Sequence, residues 1–421
     1  QICLKMNYDV IVIGAGASGM MCAGQAALGG ARVLLIEKMK MPGCKLRITG
    51  KGRCNITNIA EKEVFLDHVG PDNRFLYNAF SVFFSDELIA FFEGIGVKTK
   101  KEQGGRVFPV SDKATELVEA MVRWLNKTGV MIECNTAVKE IIIKEKVAKG
   151  VITVDDRIIL GDSVVIATGG ISYPVTGSTG DGYKFGKTSG HSVSDLYPML
   201  VPLTSNDEFV KKLHGLHLRN VGASIFVDNK EKYTAFGELD FYENGVEGPI
   251  ILTLSRKCIK DLLEKKNIRL SIDLKPGLSP EKLDNRITRD IDNLGRSEVY
   301  ELLQGLLPTQ LLRVFMSLAE VDIRQKCNQL TAVERKRILA LLKNFTINIS
   351  GHGGYNRAII TGGGLSVKEI NPKTMESKLV KNLYFTGEVL DLDADTGGYN
   401  LQIAFSTGYL AGISIADKII Q

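Results

Sequence analysis

The chain has 421 residues, of which 44% are hydrophobic and 24% are charged, so it has the composition of a globular protein with two or three domains. Its net charge of +5 permits a polyanionic partner without requiring one. The seven cysteines are odd in number and include no C-x-x-C pair, which argues against a disulfide framework or a metal site and favours a reducing cytoplasm.

Two stretches, 10–31 and 401–416, carry almost no charge and are long enough to resemble membrane spans. Six glycines interrupt the first stretch, and their spacing has a different explanation, given below. We therefore expect neither a membrane span nor a secretory signal. We expect the natural chain to begin at Met6, immediately before the first strand.

The first segment with recognisable chemistry begins with an apolar run, 9–13, which predicts a buried parallel strand. Glycines in G-x-G-x-x-G spacing follow it, and a small-residue helix pattern continues to Leu28. A second apolar run, 32–37, ends at Glu37, which lies 18 residues after the last of these glycines. This order of strand, glycines, helix, strand and acid predicts a Rossmann-like α/β fold that binds a dinucleotide.

Each glycine of this turn has a predicted role. Gly14 permits the tight turn, Gly16 lets the backbone approach a pyrophosphate, and Gly19 allows the helix to lie close to the sheet. Ala17 and Ser18 then begin the helix, whose free N–H groups and positive dipole end attract phosphate. The carboxylate of Glu37 is expected to accept hydrogen bonds from a ribose. The alternative, an ordinary glycine turn, does not explain the terminal acid.

Two later segments favour FAD over NAD. The run 163–170 predicts a buried strand that ends in Ala167-Thr168-Gly169, a turn that commonly closes over the adenosine side of FAD. An ordinary strand-to-loop turn is the alternative. Near the C-terminus, a strand leads to Gly387, Glu388 and Asp391.

After this acidic cluster, Gly398 precedes a long small-residue helix that begins with Tyr399, Asn400 and Leu401. The start of such a helix would stabilise negative charge on the pyrimidine edge of reduced flavin. The alternative for Asp391, Asp393 and Asp395 is a solvated turn or a calcium loop, but the remaining ligands of a calcium loop are missing. FAD contacts are expected from 9–60, about 130–190 and about 350–421, including four further residues, Lys38, Lys45, Ala137 and Val138.

The loop after the second strand, 51–58, is the best candidate for the wall of a flavin pocket, because sites are built on loops. Arg53 is expected to bind FAD and to orient a carbonyl or anionic substrate. Asn55 is expected to hydrogen-bond the flavin ring. Cys54 is either a proton donor or a small buried residue.

These segments together resemble the YhiN/BaiN-like family of NAD(P)/FAD-dependent oxidoreductases. The matching residues are 50–58, Gly105–Pro109, Ala167–Gly170, Tyr197-Pro198, Leu203, Thr361–Gly364, Met375–Lys378, Gly387–Asp391 and Gly397–Gln402. One departure is the segment 242–249, where Glu243 and Glu247 stand in place of polar or basic groups. The resemblance implies an FAD domain with an inserted substrate domain.

The predicted FAD domain is discontinuous, comprising 6–190 and 346–421, with a β-rich subdomain at 191–278 and a helical cap at 279–345. In the β-rich part, four runs predict strands: 223–227, 233–236, 250–254 and 268–274. No second G-x-G-x-x-G opens an NAD domain, so NAD(P)H is expected to dock transiently. Basic residues in the insertion are either phosphate contacts or a solvated helix face.

Three function classes follow. The first is a reductase that passes hydride from NAD(P)H through FAD to a conjugated C=C, and the resemblance implies uridine in 23S rRNA or a steroid-type enone as substrate. The second is an oxidase of a small amine, as suggested for aminoacetone in some relatives. The third is a flavin-bearing module without turnover. The sequence predicts no membrane association and no stable protein partner.

Overall fold

A computed structural model of the protein describes residues 7–420, so the expected start at Met6 lies outside the described residues. The chain divides into two units. The first comprises the residues up to Pro198 together with those from Ala358 onward, and the second comprises Met199–Arg357.

The elements up to the insertion are strands β1 to β11 and helices α1 to α7. The strands are β1 (Asn7–Ile13), β2 (Val33–Ile36), β3 (Thr57–Asn58), β4 (Val69–Gly70), β5 (Thr99–Glu102), β6 (Arg106–Pro109), β7 (Met131–Glu133), β8 (Val138–Lys144), β9 (Val147–Thr153), β10 (Ile158–Ile166) and β11 (Tyr197–Met199). The helices are α1 (Ala17–Leu28), α2 (Cys44–Ile48), α3 (Lys62–Asp67), α4 (Tyr77–Val82), α5 (Ser85–Gly94), α6 (Ala114–Lys127) and α7 (Asp181–Thr188).

The insertion and the returning segment supply the remaining elements. Within the insertion lie β12 (Leu203–Thr204), α8 (Glu208–Lys212), β13 (His217–Val227), β14 (Lys230–Tyr242), β15 (Gly245–Glu247), α9 (Pro249–Leu263), β16 (Ile268–Asp273), α10 (Pro280–Leu294), α11 (Val299–Gln304), α12 (Thr309–Ala319), α13 (Ala332–Lys343), β17 (Phe345–Ile349) and β18 (Gly351–His352). After it come β19 (Ile360–Gly362), β20 (Leu383–Phe385), β21 (Asp393–Ala394) and α14 (Tyr399–Ile420).

A parallel sheet forms the centre of the first unit, in the order β7-β2-β1-β10-β20. The antiparallel strands β9 and β8 continue it from the first part of β10. Side chains alternate between the two faces of a strand, yet Val10, Ile11 and Val12 of β1 are all fully buried. Both faces of this sheet are therefore covered, as the predicted α/β fold requires.

The two ends of the chain meet where α14 packs along α1. A Cβ on Gly408 would lie 2.3 Å from the Ser18 carbonyl oxygen, and one on Gly412 would lie 2.7 Å from the Cys22 carbonyl oxygen. The helices can approach this closely only because these positions have no side chain. The length and composition of α14 would also suit a membrane span, but 56% of its apolar window is buried inside the protein, as expected for a core helix.

The boundaries of the insertion differ from the predicted ones. The first unit extends to Pro198 and resumes at Ala358, rather than ending at 190 and resuming at 346. The reason is that β17, which was assigned to the FAD domain, pairs antiparallel with β16 and belongs to the inserted sheet. Apolar strands look alike in sequence, so their sheet membership was not visible.

The inserted unit contains a seven-stranded antiparallel sheet, in the order β17-β16-β13-β14-β15-β12-β18. Its strands and helices share one hydrophobic core, which contains Ile225 and Leu270 from the sheet and Leu283, Leu312 and Ile338 from the helices. The predicted β-rich subdomain and helical cap therefore form a single unit.

The prediction of a strand at 250–254 was wrong, because these residues lie in α9. Gly248 and Pro249 precede the run, and proline is favoured at the first position of a helix. The buried residues Ile250, Ile251, Leu254 and Cys258 also have helical spacing.

The α1–α14 contact leads to a stability prediction. In a helix, Gly408→Val should gain a few tenths of a kcal/mol from intrinsic propensity. The added side chain, however, must displace the Ser18 backbone, and overpacking typically costs about 1–3 kcal/mol. We expect a net loss of stability in chemical denaturation. The control Ile419→Val lies on the exposed last turn of α14 and should change stability by less than about 0.5 kcal/mol. Equal stability of the two variants would contradict the close helix packing.

Candidate functional site

The glycine turn between β1 and α1 has the geometry that a pyrophosphate needs. Gly14 has φ of +101°, and a Cβ there would lie 2.5 Å from the Ala167 carbonyl oxygen. A Cβ on Gly19 would lie 1.9 Å from the Gly14 carbonyl oxygen, so the helix starts in close contact with the turn. Gly16, in contrast, would meet nothing within 4 Å. The space in front of the helix is therefore open, and Ala17 and Ser18 begin the helix behind it.

Glu37 lies beside this turn, directly after β2. Its Oε2 atom accepts a hydrogen bond from the Ala15 N–H at 2.8 Å, and its Oε1 accepts one from the Met39 N–H at 2.8 Å. These bonds fix the carboxylate while each oxygen keeps a lone pair for a ribose hydroxyl. The Thr136 N–H donates to the Glu37 carbonyl oxygen at 3.0 Å, which brings the predicted adenosine contacts Ala137 and Val138 to the same side.

The end of β10 lies against the glycine turn. The Ala167 N–H donates to the Ile13 carbonyl oxygen at 2.9 Å, and Gly169 has φ of +71°, which favours glycine. The hydroxyl oxygen of Thr168 is buried without a hydrogen-bond partner among the described residues. This oxygen faces α7, because a Cβ on Gly182 would lie 2.3 Å from it, so the Thr168 side chain packs against the protein.

Glu388 and Lys45 form an ion pair that is hydrogen-bonded to two further segments of the first unit. Lys45 Nζ lies 2.7 Å from Glu388 Oε2 and donates to Ser172 Oγ at 2.6 Å, while Glu388 Oε1 accepts from the Thr361 N–H at 2.9 Å. Lys38 instead pairs with Asp181, at 2.6 Å between Nζ and Oδ2. The structure thus separates the two predicted lysines into different ion pairs.

The acids after Glu388 do not form a calcium loop. Asp391 accepts a hydrogen bond from Ser194 Oγ at 2.8 Å, and Asp395 pairs with His68. Within residues 7–420 no group of three or more His, Cys, Asp and Glu side chains has the arrangement of a metal site.

The loop 51–58 lies against the start of α14. A Cβ on Gly398, whose φ is +99°, would lie 2.3 Å from the Thr57 carbonyl oxygen. Asn58 Nδ2 donates to the Gly397 carbonyl oxygen at 3.1 Å. Two segments that are more than 300 residues apart in sequence therefore form one wall.

The first turn of α14 contains Tyr399, Asn400 and Leu401, whose backbone N–H groups have no partner within the helix. The side chain of Asn400 has a local role. It accepts from the Ala394 N–H at 2.9 Å and donates to the Ala394 carbonyl oxygen at 2.9 Å. The predicted cofactor contact at Asn400 is therefore restricted to its backbone.

The structure argues against two of the predicted catalytic roles. Arg53 is paired with Asp112, at 2.6 Å from Nη2, and with Glu102, and it stacks on Phe108 with 4.1 Å from Cζ to the ring centroid. These two carboxylates balance the charge of Arg53, so its guanidinium is not available to bind an anionic substrate. Cys54 has no exposed surface, and burial raises the pKa of its thiol to about 12. A thiol that water cannot reach does not deliver a proton to a substrate, so Cys54 is a packing residue.

Asn55 fits its predicted role better. Its side-chain oxygen Oδ1 is buried and has no hydrogen-bond partner among residues 7–420. The open helix start, the fixed acid and this amide oxygen fit FAD. FAD would supply two-electron hydride chemistry, and these residues would bind and orient it.

His68 was missed by sequence reasoning. Its Nδ1 atom lies 2.8 Å from Asp395 Oδ2, and its ring is stacked on Tyr399 with 4.5 Å between centroids and 25° between planes. No motif spacing surrounds His68, and its partners lie more than 320 residues away. No sequence signal identified it.

Comparison with known proteins identifies the family. The family described as HI0933-like protein Rossmann domain matches residues 8–414. The chain belongs to this family. A 3-dehydro-bile acid delta(4,6)-reductase of Clostridium scindens is 30% identical over 410 residues, covering 97% of this chain and 98% of that protein. A ribosomal RNA dihydrouridine synthase of Escherichia coli is 30% identical over 406 residues, covering 96% of each.

A solved structure supports the fold of this HI0933-like chain. The 3-ketosteroid-delta4-(5alpha)-dehydrogenase of Rhodococcus jostii, in complex with 4-androstene-3,17-dione, covers 99% of this chain and 98% of its own, with a TM-score of 0.56 and 16% identity. Family and relatives together make this protein an FAD-dependent oxidoreductase, and they confirm the predicted family, fold class and cofactor FAD.

The open position of Gly16 gives a direct test of FAD placement. Gly16→Val should leave the protein folded, because its side chain would meet no protein atom close to the Cβ. The side chain should nevertheless block the pyrophosphate, so the purified variant should lack yellow colour and release no FAD on denaturation. Gly94→Val is the matched control, since Gly94 is also open but lies at the end of α5, and it should keep FAD. A Gly16→Val variant with stoichiometric FAD would place the cofactor elsewhere.

Glu37 provides a second test. Glu37→Ala removes charged hydrogen bonds to the ribose, which are worth about 1.5–3 kcal/mol, or roughly a ten- to hundredfold loss of FAD affinity. Glu37→Gln keeps one acceptor oxygen and should lose less. The affinities can be measured by titrating FAD into apoprotein and following flavin fluorescence. Unchanged affinity in a folded Glu37→Ala variant would remove Glu37 from the ribose.

Proposed function

We propose that this protein reduces a ring C=C conjugated to a carbonyl group, taking hydride from NAD(P)H and passing it on through FAD. The substrate class that we propose first is uridine in 23S ribosomal RNA, with dihydrouridine as the product. A cytoplasmic location is proposed with it. A steroid-type enone is the second candidate.

The names of two relatives carry this proposal. One is a delta(4,6)-reductase of 3-dehydro-bile acids and the other is a ribosomal RNA dihydrouridine synthase, each 30% identical over at least 96% of this chain. A steroid and a pyrimidine have little in common except a ring double bond that becomes saturated. The shared chemistry therefore transfers to this chain more readily than either substrate. Neither name supports the oxidase of a small amine.

The reductant is proposed to dock transiently. The described residues contain one strand–turn–helix arrangement with G-x-G-x-x-G spacing, and it is assigned to FAD. A resident NAD(P)H would need a second site of this kind. If NAD(P)H docks transiently, it would leave after reducing FAD, and the substrate could then bind at the same place.

The distribution of charge favours RNA over a steroid. Residues 199–357 contain 24 Lys and Arg against 20 Asp and Glu, whereas the rest of the chain contains 29 against 28. Four of the five excess positive charges thus belong to the inserted unit. Affinity for nucleic acid comes mainly from contacts between phosphates and basic residues. A basic inserted unit therefore suits an RNA substrate better than it suits an uncharged steroid.

Glu247, one of the two acids that differ from the residues common in the resembled family, is paired with a basic residue of the inserted unit. Arg357 Nη2 forms an ion pair with Glu247, and its guanidinium lies over the Tyr242 ring, 4.1 Å from the centroid. Glu247 is therefore compensated within the inserted unit. Glu243, the other acid of this turn, is exposed.

The proposal is tested by separating the two half-reactions. The protein is reduced anaerobically with NADPH and then mixed with a 23S rRNA transcript, with 4-androstene-3,17-dione or with buffer, while flavin absorbance is followed. We expect re-oxidation by the transcript, with dihydrouridine appearing in its nucleoside digest. Re-oxidation by the steroid alone would replace the substrate but keep the reaction. Turnover of aminoacetone with oxygen, and no re-oxidation by either C=C compound, would overturn the proposal.

A further inference from the structure

Reduction of a conjugated C=C needs an acid as well as a hydride. Hydride adds to the β-carbon, the π electrons move to the α-carbon and the carbonyl oxygen, and the α-carbon must then receive a proton. The hydride would come from reduced FAD, which would be oxidised in the same step. The acid has to come from the protein or from water, and Cys54 is too buried to serve.

We propose that His68 is this catalytic acid, held in place by Asp395 and Tyr399. The inference rests on the proposed function, since it assigns the proton donor of that reaction. In the proposed step, the imidazolium gives the Nε2 proton to the α-carbon as the hydride arrives at the β-carbon. The imidazole is then neutral and takes a proton from solvent before the next turnover.

The geometry of His68 is that of a positioned acid. Nδ1 is bonded to Asp395 Oδ2 at 2.8 Å, while Nε2 makes no hydrogen bond to the described residues. One ring nitrogen is thus anchored and the other is available. The side chain is 39% exposed, so solvent can return a proton to it. Histidine can hold a partner with one ring nitrogen while the other donates a proton.

Neighbouring residues fix the orientation of both His68 and Asp395. The His68 ring stacks on Tyr399, and Phe65 fixes the Tyr399 ring from its edge, with 4.6 Å between centroids. Asp395 is held by its N–H, which donates to the His68 carbonyl oxygen at 3.1 Å, and by Asn400 Nδ2, which donates to the Asp395 carbonyl oxygen at 3.2 Å. A catalytic group needs a locked orientation of this kind.

The location fits as well. Tyr399 is the first residue of α14, and Gly398 before it touches the loop that contains Asn55 and Thr57. His68 therefore lies at the wall where the flavin is expected. Burial and the Asp395 carboxylate raise the pKa of Tyr399, though burial contributes more, so the phenol is a poorer proton donor than an ordinary tyrosine.

The test uses full-length enzyme with His68→Gln and Asp395→Asn. The control is His217→Gln, which breaks a His–Asp pair of similar exposure, with Asp240, in the inserted unit. All variants should keep FAD and be reduced by NADPH at close to the wild-type rate. Two probes are used, the 23S rRNA transcript and 4-androstene-3,17-dione. With a probe that re-oxidises wild type, re-oxidation of His68→Gln should be slower by about a hundredfold or more. Asp395→Asn should show a smaller loss, and His217→Gln none.

A second readout does not depend on turnover. Diethyl pyrocarbonate modifies exposed histidines, and mass spectrometry of the oxidised holoenzyme gives the extent at each one. The rRNA transcript or steroid that re-oxidises wild type should protect His68 from diethyl pyrocarbonate and leave His217 unprotected. Equal modification of His68 with and without the probe, or wild-type re-oxidation in His68→Gln, would overturn the assignment. If wild type itself is re-oxidised by neither probe, the proposed reaction fails. If a probe re-oxidises wild type and His68→Gln equally fast, the reaction stands and only the assignment of His68 fails.

Discussion

The close approach of backbone to backbone around α1 is the constraint on which the site depends. Gly14 and Gly19 bring the helix start against β1 and the end of β10, and Gly408 and Gly412 bring α14 against the same helix. A side chain at any of these positions would separate elements that must converge on one dinucleotide. Gly16 has the opposite property, because it keeps protein atoms away from the helix start. Contact is therefore tight at these four glycines and open at Gly16, where the pyrophosphate is expected.

Burial decides which polar residues take part in chemistry. Cys54 belongs to the most recognisable segment of the sequence, but it is completely enclosed, and Arg53 beside it is neutralised by two carboxylates. His68 belongs to no motif, yet it is partly exposed and oriented by an acid. Arg53 and Cys54, which belong to a sequence motif, stabilise the loop 51–58 by packing and ion pairing. The proposed acid, His68, lies outside this motif.

The glycine turn, Glu37 and the start of α14 were predictable from sequence, because each depends on local spacing and on the hydrophobic period of its own element. The extent of the insertion was less predictable, since the pairing of β17 with β16 is a long-range choice that apolar strands do not encode locally. The helix α9 was misassigned for a related reason, because a short apolar run suits either a strand or a buried helix. His68 was beyond reach, as its partners are more than 320 residues away in sequence.

The activity proposed for this flavoprotein is saturation of a ring double bond in ribosomal RNA. The most direct measurement is quantitative mass spectrometry of nucleosides in 23S rRNA from cells with and without the gene. We expect that dihydrouridine at one or more positions disappears with the gene and returns when the wild-type gene is restored. Identical dihydrouridine content in both strains would contradict it.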